Sequence, residues 1–147
     1  MTEAELRTTA EGLHGVALVT PLIEAAELGR QCGGEVRLKG EHLQPVGAFK
    51  IRGAWTAVSR LSETERARGI VTHSSGNHGQ ALAFAGKRAG VRTVVVMPES
   101  APAIKVEGVR RHGAEVIAVT GPANERGRVA DELAARDGLV LVPPYES

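Results

Sequence analysis

Cysteine is nearly absent from this chain of 147 residues, and the one present, Cys32, has no partner for an internal disulfide. It sits beside Gly33 and Gly34 with no activating group near it in sequence, so it is expected to be a bystander thiol. An excess of one charge is lacking too. The 18 basic and 17 acidic residues leave a net charge of +1, which provides no steering onto nucleic acid or an anionic membrane. No apolar run approaches the ~20 residues that a membrane-spanning helix needs. The opening MTEAELRTTAEG has neither the apolar core nor the basic flank of a secretory signal. These absences point to a cytoplasmic globule whose partner is a small molecule. What is present suits that reading, since 42% hydrophobic residues supply a core for a chain of ordinary domain size.

The second half of the chain carries the stronger structural rhythm. Residues 69–73 (GIVTH), 92–97 (RTVVVM), 114–119 (AEVIAV) and 138–142 (GLVLV) are continuous apolar runs of the kind buried on both faces of a parallel sheet. Helical segments over 77–89, 101–112 and 123–136 separate them, with Gly90, Gly113 and Gly138 placed where each helix would end in the left-handed conformation. Four strands and three crossover helices predict an α/β fold, an open parallel sheet with flanking helices and right-handed connections. The first half is less regular. An amphipathic helix is predicted over 3–13, and Thr20-Pro21 offers a cap and a first-turn proline for a second helix through LIEAAELG that stops at Gly29. Residues 35–39 alternate as a short strand, and EHLQPVG (41–47) is a polar connector. Ile51, Ala54, Trp55, Val58 and Leu61 recur at helical steps and predict a helix over 49–61, after which 62–68 forms a charged connection to the regular unit.

Two stretches could carry chemistry. In VGAFKIRGA (46–54), Lys50 stands at a helix's first turn. Gly47 and Ala48 allow a flat group to approach the backbone, and Phe49 shields the amine from water. A lysine is in most settings a solvated surface charge, so a second signal is needed. THSSGNHGQ (72–80) supplies it, because it joins a strand end to the next helix, where open α/β sheets bind ligands. Ser74, Ser75 and Asn77 bring hydroxyl and amide groups, Gly76 permits a sharp turn, and N–H groups at a helix start suit a carboxylate or phosphate. Helix capping also uses serine, asparagine and glycine, although two serines, an asparagine and a histidine within five residues exceed what a cap needs. His73 and His78 have no cysteine or carboxylate at ligand spacing, so no metal is expected. A nucleotide-binding α/β domain would need a glycine fingerprint after a strand, and none is found.

KGEHLQPVGAFKIRGA (39–54) together with HSSGNHGQAL (73–82) resembles the fold type II family of pyridoxal phosphate enzymes, and within it the threonine/serine dehydratase and serine racemase group. VMPESAP (96–102), Lys105 and RRHGAEV (110–116) repeat further landmarks in the family's order, so the similarity runs from Thr20 onward. The resemblance implies pyridoxal 5'-phosphate as cofactor. By it, Lys50 holds the cofactor as a Schiff base and later takes the substrate α-proton, a role suited to a lysine whose ammonium form burial disfavours. It further implies that Asn77 hydrogen-bonds the ring hydroxyl, that Phe49 flanks the ring, and that Ser74, Ser75, Gly76 and His78 clasp the substrate carboxylate. Ser75 also matches the serine that serves racemases as acid or base on the opposite face. The implied reaction is α,β-elimination of L-threonine or L-serine to a 2-oxo acid and ammonia, with the cofactor as electron sink. Serine racemisation by Lys50 and Ser75 is the alternative.

The pattern departs from the family in two ways. Ala48 stands where the family commonly has a serine before its Phe-Lys pair. The glycine-rich loop that cradles the cofactor phosphate, and the late residue that meets the pyridine nitrogen, have no counterpart, since Gly33-Gly34 is the only glycine pair and lies elsewhere. LVPPYES (141–147) is similar to the family's return from its small domain into its large one. The resemblance therefore implies the N-terminal portion of a longer enzyme, homo-oligomeric when full length. Residues 1–68 would be an incomplete part of the large cofactor-binding domain, and 69–147 the small α/β domain. The missing phosphate loop also motivates a reading from another class, an inactive fragment or a non-catalytic binding domain.

Overall fold

The computed structural model describes residues 2–144, so the last three residues of LVPPYES lie outside the described residues. A parallel sheet organises the chain. Its strands are β3 (Ile70–His73), β4 (Thr93–Pro98), β5 (Glu115–Val119) and β6 (Val140–Leu141), in the spatial order β5-β4-β3-β6. Val71 pairs with Val94 on one side and Leu141 on the other, and Val95 pairs with Val116. The crossovers are α5 (Asn77–Ala89), α6 (Ala103–Arg110) and α7 (Ala123–Asp137). Gly90, Gly113 and Gly138 follow them with φ of 68°, 76° and 69°, so the expected left-handed stops are in place.

Alternation along β4 divides the core between the two faces of the sheet. Val95 and Met97 pack with Ala83 of α5 and Val109 of α6, whereas Val94 and Val96 pack with Val71 and with Ala130 of α7. The chain steps outward from β3 to β4 to β5 and then reverses to β6 on the far side of β3. Right-handed crossovers place the returning helix on the opposite face, and the reversal opens a crevice at the C-terminal end of β3.

The expectation of strands buried on both faces holds for β3 and β4 and fails for β5, where Glu115, Ile117 and Ala118 are exposed. β5 is the sheet's edge and has a neighbour on one side only, a position that an apolar run of five residues does not reveal. β6 at the other edge is half-buried.

The first half departs further from expectation. Thr20-Pro21 does not open a helix. Residues Leu22–Glu24 form strand β1, antiparallel to β2 (Arg37–Lys39), and the helix α2 begins only at Ala26 and runs to Cys32. The Thr20 hydroxyl is diverted to Glu41, at 2.6 Å, and so does not cap a helix. Gly29 does not stop α2 either. It lies within the helix because a Cβ there would meet the Gly34 carbonyl oxygen at 2.8 Å, and the stop is Gly33 with φ of 70°. The helix α1 (Glu3–Glu11) forms but buries no residue, and the indole of Trp55 donates to the Gly12 carbonyl at 2.8 Å. Glu41–Leu43 turns as a short 3-10 helix within the expected connector. The charged stretch before the sheet is itself a helix, α4 (Glu63–Arg68), closed by a reciprocal cap between Ser62 and Glu65.

α3 (Lys50–Ser59) is the element that links the two halves. Its Ala54 and Val58 pack with Ile70, Ala81, Leu82 and Ala85, so α3 and α5 lie against each other on one face of the sheet. That packing sets the first turn of α3 beside the first turn of α5.

Candidate active site

Lys50 opens α3, and the helix starts with no side-chain cap at Phe49. A charged network anchors this end instead. Arg52 forks onto Glu41 with Nε 2.9 Å and Nη2 2.8 Å from the two carboxylate oxygens. Arg52 Nη2 also donates to the Leu18 carbonyl at 3.0 Å, while Gln44 accepts from the Leu18 N–H and donates back to the Leu18 carbonyl, both at 2.9 Å. The Arg52 guanidinium, helped by the Thr20 and Gln44 donors, holds the Glu41 carboxyl down to about 2. The segment containing Leu18 and Thr20, the 3-10 turn and the first turn of α3 are thereby one unit. Sequence reasoning treated EHLQPVG as a plain connector. The signal was an acid and an amide upstream of Arg52, but pairing over 11 residues has no helical or strand period to expose it.

Lys50 Nζ donates to the Pro144 carbonyl at 2.9 Å and lies 5.5 Å from the centroid of the Phe49 ring. It faces a cavity of about 370 Å³ lined chiefly by Phe49, Gly53, Ala54, Ala57, His78 and Pro144. That volume falls in the ~300–1,000 Å³ range of small-molecule sites. The wall is apolar apart from Lys50, Arg52 and His78, and Gly53 has open space where a Cβ would stand. An aromatic ring held covalently by one amine fits this lining.

His78 is buried in the first turn of α5, and its Nε2 lies 3.3 Å from the Val142 carbonyl. A carbonyl only accepts, so Nε2 carries the proton. Burial, with the charge of Lys50 and the neighbouring His73, pushes the imidazole pKa below its ordinary value, and the Val142 hydrogen bond only partly opposes this. His78 therefore stands as a neutral donor beside the lysine.

The loop between β3 and α5 forms the other wall. Ser74 Oγ accepts from the Gly76 N–H at 3.2 Å and the Gly79 N–H at 3.1 Å, so Ser74 caps α5. Gly79 is required here, since a Cβ would lie 2.9 Å from Val95 Cγ1 and 3.3 Å from Ser74 Cβ. Ser75 and Asn77 are exposed, and Asn77 Oδ1 stands 3.5 Å from Lys105 Nζ of α6. The N–H groups of Asn77 and His78 open the helix without intrahelical acceptors, which suits an anion. Lys50, Phe49 and His78 thus share one cavity. Ser74 and Ser75 line a neighbouring cavity of about 500 Å³, with His73 and the first turn of α7, and Pro144 borders both. Asn124, Arg126 and Gly127 from α7 belong to this second cavity, and sequence reasoning passed them over because they lie about fifty residues from the loop they face.

Comparison with known proteins gives the same direction. The profile of the family described as "Pyridoxal-phosphate dependent enzyme" matches residues 15–147. An L-threo-3-hydroxyaspartate ammonia-lyase of Saccharomyces cerevisiae is 42% identical over 127 residues, covering 86% of this chain and 39% of the relative. An L-threonine dehydratase of Pasteurella multocida is 39% identical over 134 residues, covering 91% of this chain and 26% of the relative. The solved structure of maize serine racemase superposes with a TM-score of 0.91 at 33% identity, covering 98% of this chain and 44% of that one. The chain thus spans less than half the length of each of these three proteins.

Proposed function

This chain belongs to the family of pyridoxal-phosphate dependent enzymes, with pyridoxal 5'-phosphate as its cofactor, and on that premise we propose that it serves α,β-elimination of L-threonine or L-serine to a 2-oxo acid and ammonia. The observation that carries the reading is the Lys50 amine in an apolar cavity, side by side with a helix start that offers N–H groups to a carboxylate. When bound, the cofactor supplies a sink for the electron pair left by α-C–H cleavage.

The remaining tasks fall to this chain's own residues. Lys50 is the amine of attachment, with Phe49 against the ring and Asn77 as its polar partner. The Ser74–His78 loop holds the substrate carboxylate through Ser75, Gly76 and the first N–H groups of α5. His78, kept neutral, donates a hydrogen bond without adding a positive charge that would compete with Lys50. With the cofactor bound, Lys50 Nζ would be the base that takes the α-proton. The apolar lining of its cavity leaves the amine few competing polar side chains. In the same reading residues 1–68 begin a larger cofactor-binding domain and 69–147 form the smaller one.

The test uses the full-length protein, following pyruvate and 2-oxobutyrate against D-serine. Keto acid as the main product sustains the proposal, while abundant D-serine with little keto acid replaces it by racemisation through Lys50 and Ser75. Lys50→Ala is expected to abolish the visible band of bound cofactor and to lower turnover by on the order of 1,000-fold, as loss of a positioned base does.

A further inference from the structure

Resting on the reading of Asn77 as the polar partner of the cofactor ring, we propose that Lys105 is a positioning residue, which fixes the Asn77 amide so that its NH2 end is offered to the ring oxygen and favours that oxygen as the anion. Lys105 stands in the first turn of α6, whose Val106 and Val109 pack with Ala83 and Val95. That packing carries its ammonium over the start of α5. Nζ lies 3.5 Å from Asn77 Oδ1, and a Cβ at Gly76 would stand 3.7 Å from Nζ.

Stability does not account for this placement. The free N–H groups at the start of α5 carry a partial positive charge, so an ammonium is repelled there and attracted at a helix's other end. Lys87 and Arg88 in the last turn of α5, and Arg136 in the last turn of α7, follow that rule, and Lys105 breaks it. Among the described residues Lys105 forms no ion pair that would offset the repulsion.

The chemistry of the two groups decides how the amide faces. A lysine donates and never accepts, so the Asn77 atom turned towards it is the carbonyl oxygen, and the NH2 end is turned away from it. That end makes no hydrogen bond among the described residues and is free to donate. A ring oxygen that meets a donor is favoured as the anion, whereas an amide facing the other way would accept from a protonated hydroxyl and favour the neutral form. The charge of Lys105 acts in the same sense as the donor.

The experiment uses the full-length protein with pyridoxal 5'-phosphate, as wild type, Lys105→Met, Lys105→Arg, Asn77→Ala and the double variant of Lys105→Met with Asn77→Ala. The visible band of bound cofactor is followed against pH, and cofactor affinity is measured by titration. As pH falls, Lys105→Met should lose the band about one pH unit earlier than wild type and bind the cofactor about tenfold more weakly, the same change written as an equilibrium constant. Lys105→Arg, which also only donates, should restore most of both. In the Asn77→Ala background Lys105→Met should change neither, since its effect passes through that amide. Thermal melts of the cofactor-free protein should find Lys105→Met as stable as wild type, which a merely structural lysine would not allow. An unchanged band and affinity in Lys105→Met, or its full effect in the Asn77→Ala background, would overturn the assignment. D-serine in place of keto acid would overturn the elimination reading alone, because the band and the affinity are read without turnover.

Discussion

The two helices that meet at the candidate site are held in place by different forces. α3, which carries Lys50, has no side-chain cap and takes its position from the Arg52–Glu41 fork, itself braced by Thr20 and Gln44. α5, which carries the serine and asparagine loop, is seated by neutral contacts. These are the Ser74 hydroxyl on two N–H groups, Gly79 against Val95, and Ala81, Leu82 and Ala85 in the core. One wall of the site therefore depends on ionisation, and the other on packing and backbone hydrogen bonds. Salt should weaken the lysine side and leave the loop's own capping unaltered.

The strongest way to break this contrast is Arg52→Met, which leaves Glu41 without its fork. Arg52 is a third exposed, so the expected loss is about 2 kcal/mol by urea denaturation, with a smaller difference from wild type in high salt. The wild-type contribution of Glu41 has a definite sign. Its carboxyl is held below its unfolded value, so the stability it supplies is present above about pH 4.3 and is lost as pH falls through about 2. A difference between Arg52→Met and wild type that is unchanged from pH 7 to pH 2 would contradict the assignment.

Ser74→Ala tests the neutral wall. Removing a cap hydroxyl that serves two N–H groups should cost about 1 kcal/mol, and 1 M NaCl should leave that cost unaltered. Marked salt sensitivity would show that charge reaches this wall too.

The smallest effect sharpens the comparison, because the otherwise neutral wall contains a buried titratable group, His78. His78 is buried and held below the ordinary imidazole value, so the unfolded chain binds its proton first. The stability it contributes is full above about pH 6.5 and is lost as pH falls through the lowered folded value. Thermal melts from pH 7.5 to pH 5 should show His78→Gln with a flatter acid slope than wild type. Parallel slopes would remove His78 as the group responsible. The two walls then titrate in separate windows, His78 first and Glu41 later.

Legibility in the sequence followed the range of the interactions. α5 was expected over 77–89 and runs over Asn77–Ala89, because a strand end, a capping serine, a glycine turn and a left-handed Gly90 are all local signals. Ser62 and Glu65 announced α4 with the spacing of a reciprocal cap, and that signal went unread among the charges around it. The error at Thr20-Pro21 was of another kind. Local chemistry favoured a helix cap there, but Glu41 draws the hydroxyl away and the pairing of Leu22 with Lys39 draws the chain into a strand. Lys50, Ser74 and His78 were nameable from motifs, whereas the contacts of Lys105 and Glu41 join residues distant in the chain.

Local order alone accounts for the alternation of strand and helix, the positions of the left-handed glycines and the placement of Lys50 and Asn77 at helix starts. All of these depend on backbone preferences and side-chain periods within a few residues. Which strand became the edge, which face each helix took and which lysine came to stand over the start of α5 were decided only by folding. β4 and β5 are both apolar runs, yet one is enclosed by α5, α6 and α7 and the other lies at the rim. Burial and charge pairing are properties of neighbours in space, and folding sets those neighbours when the chain reverses at β3.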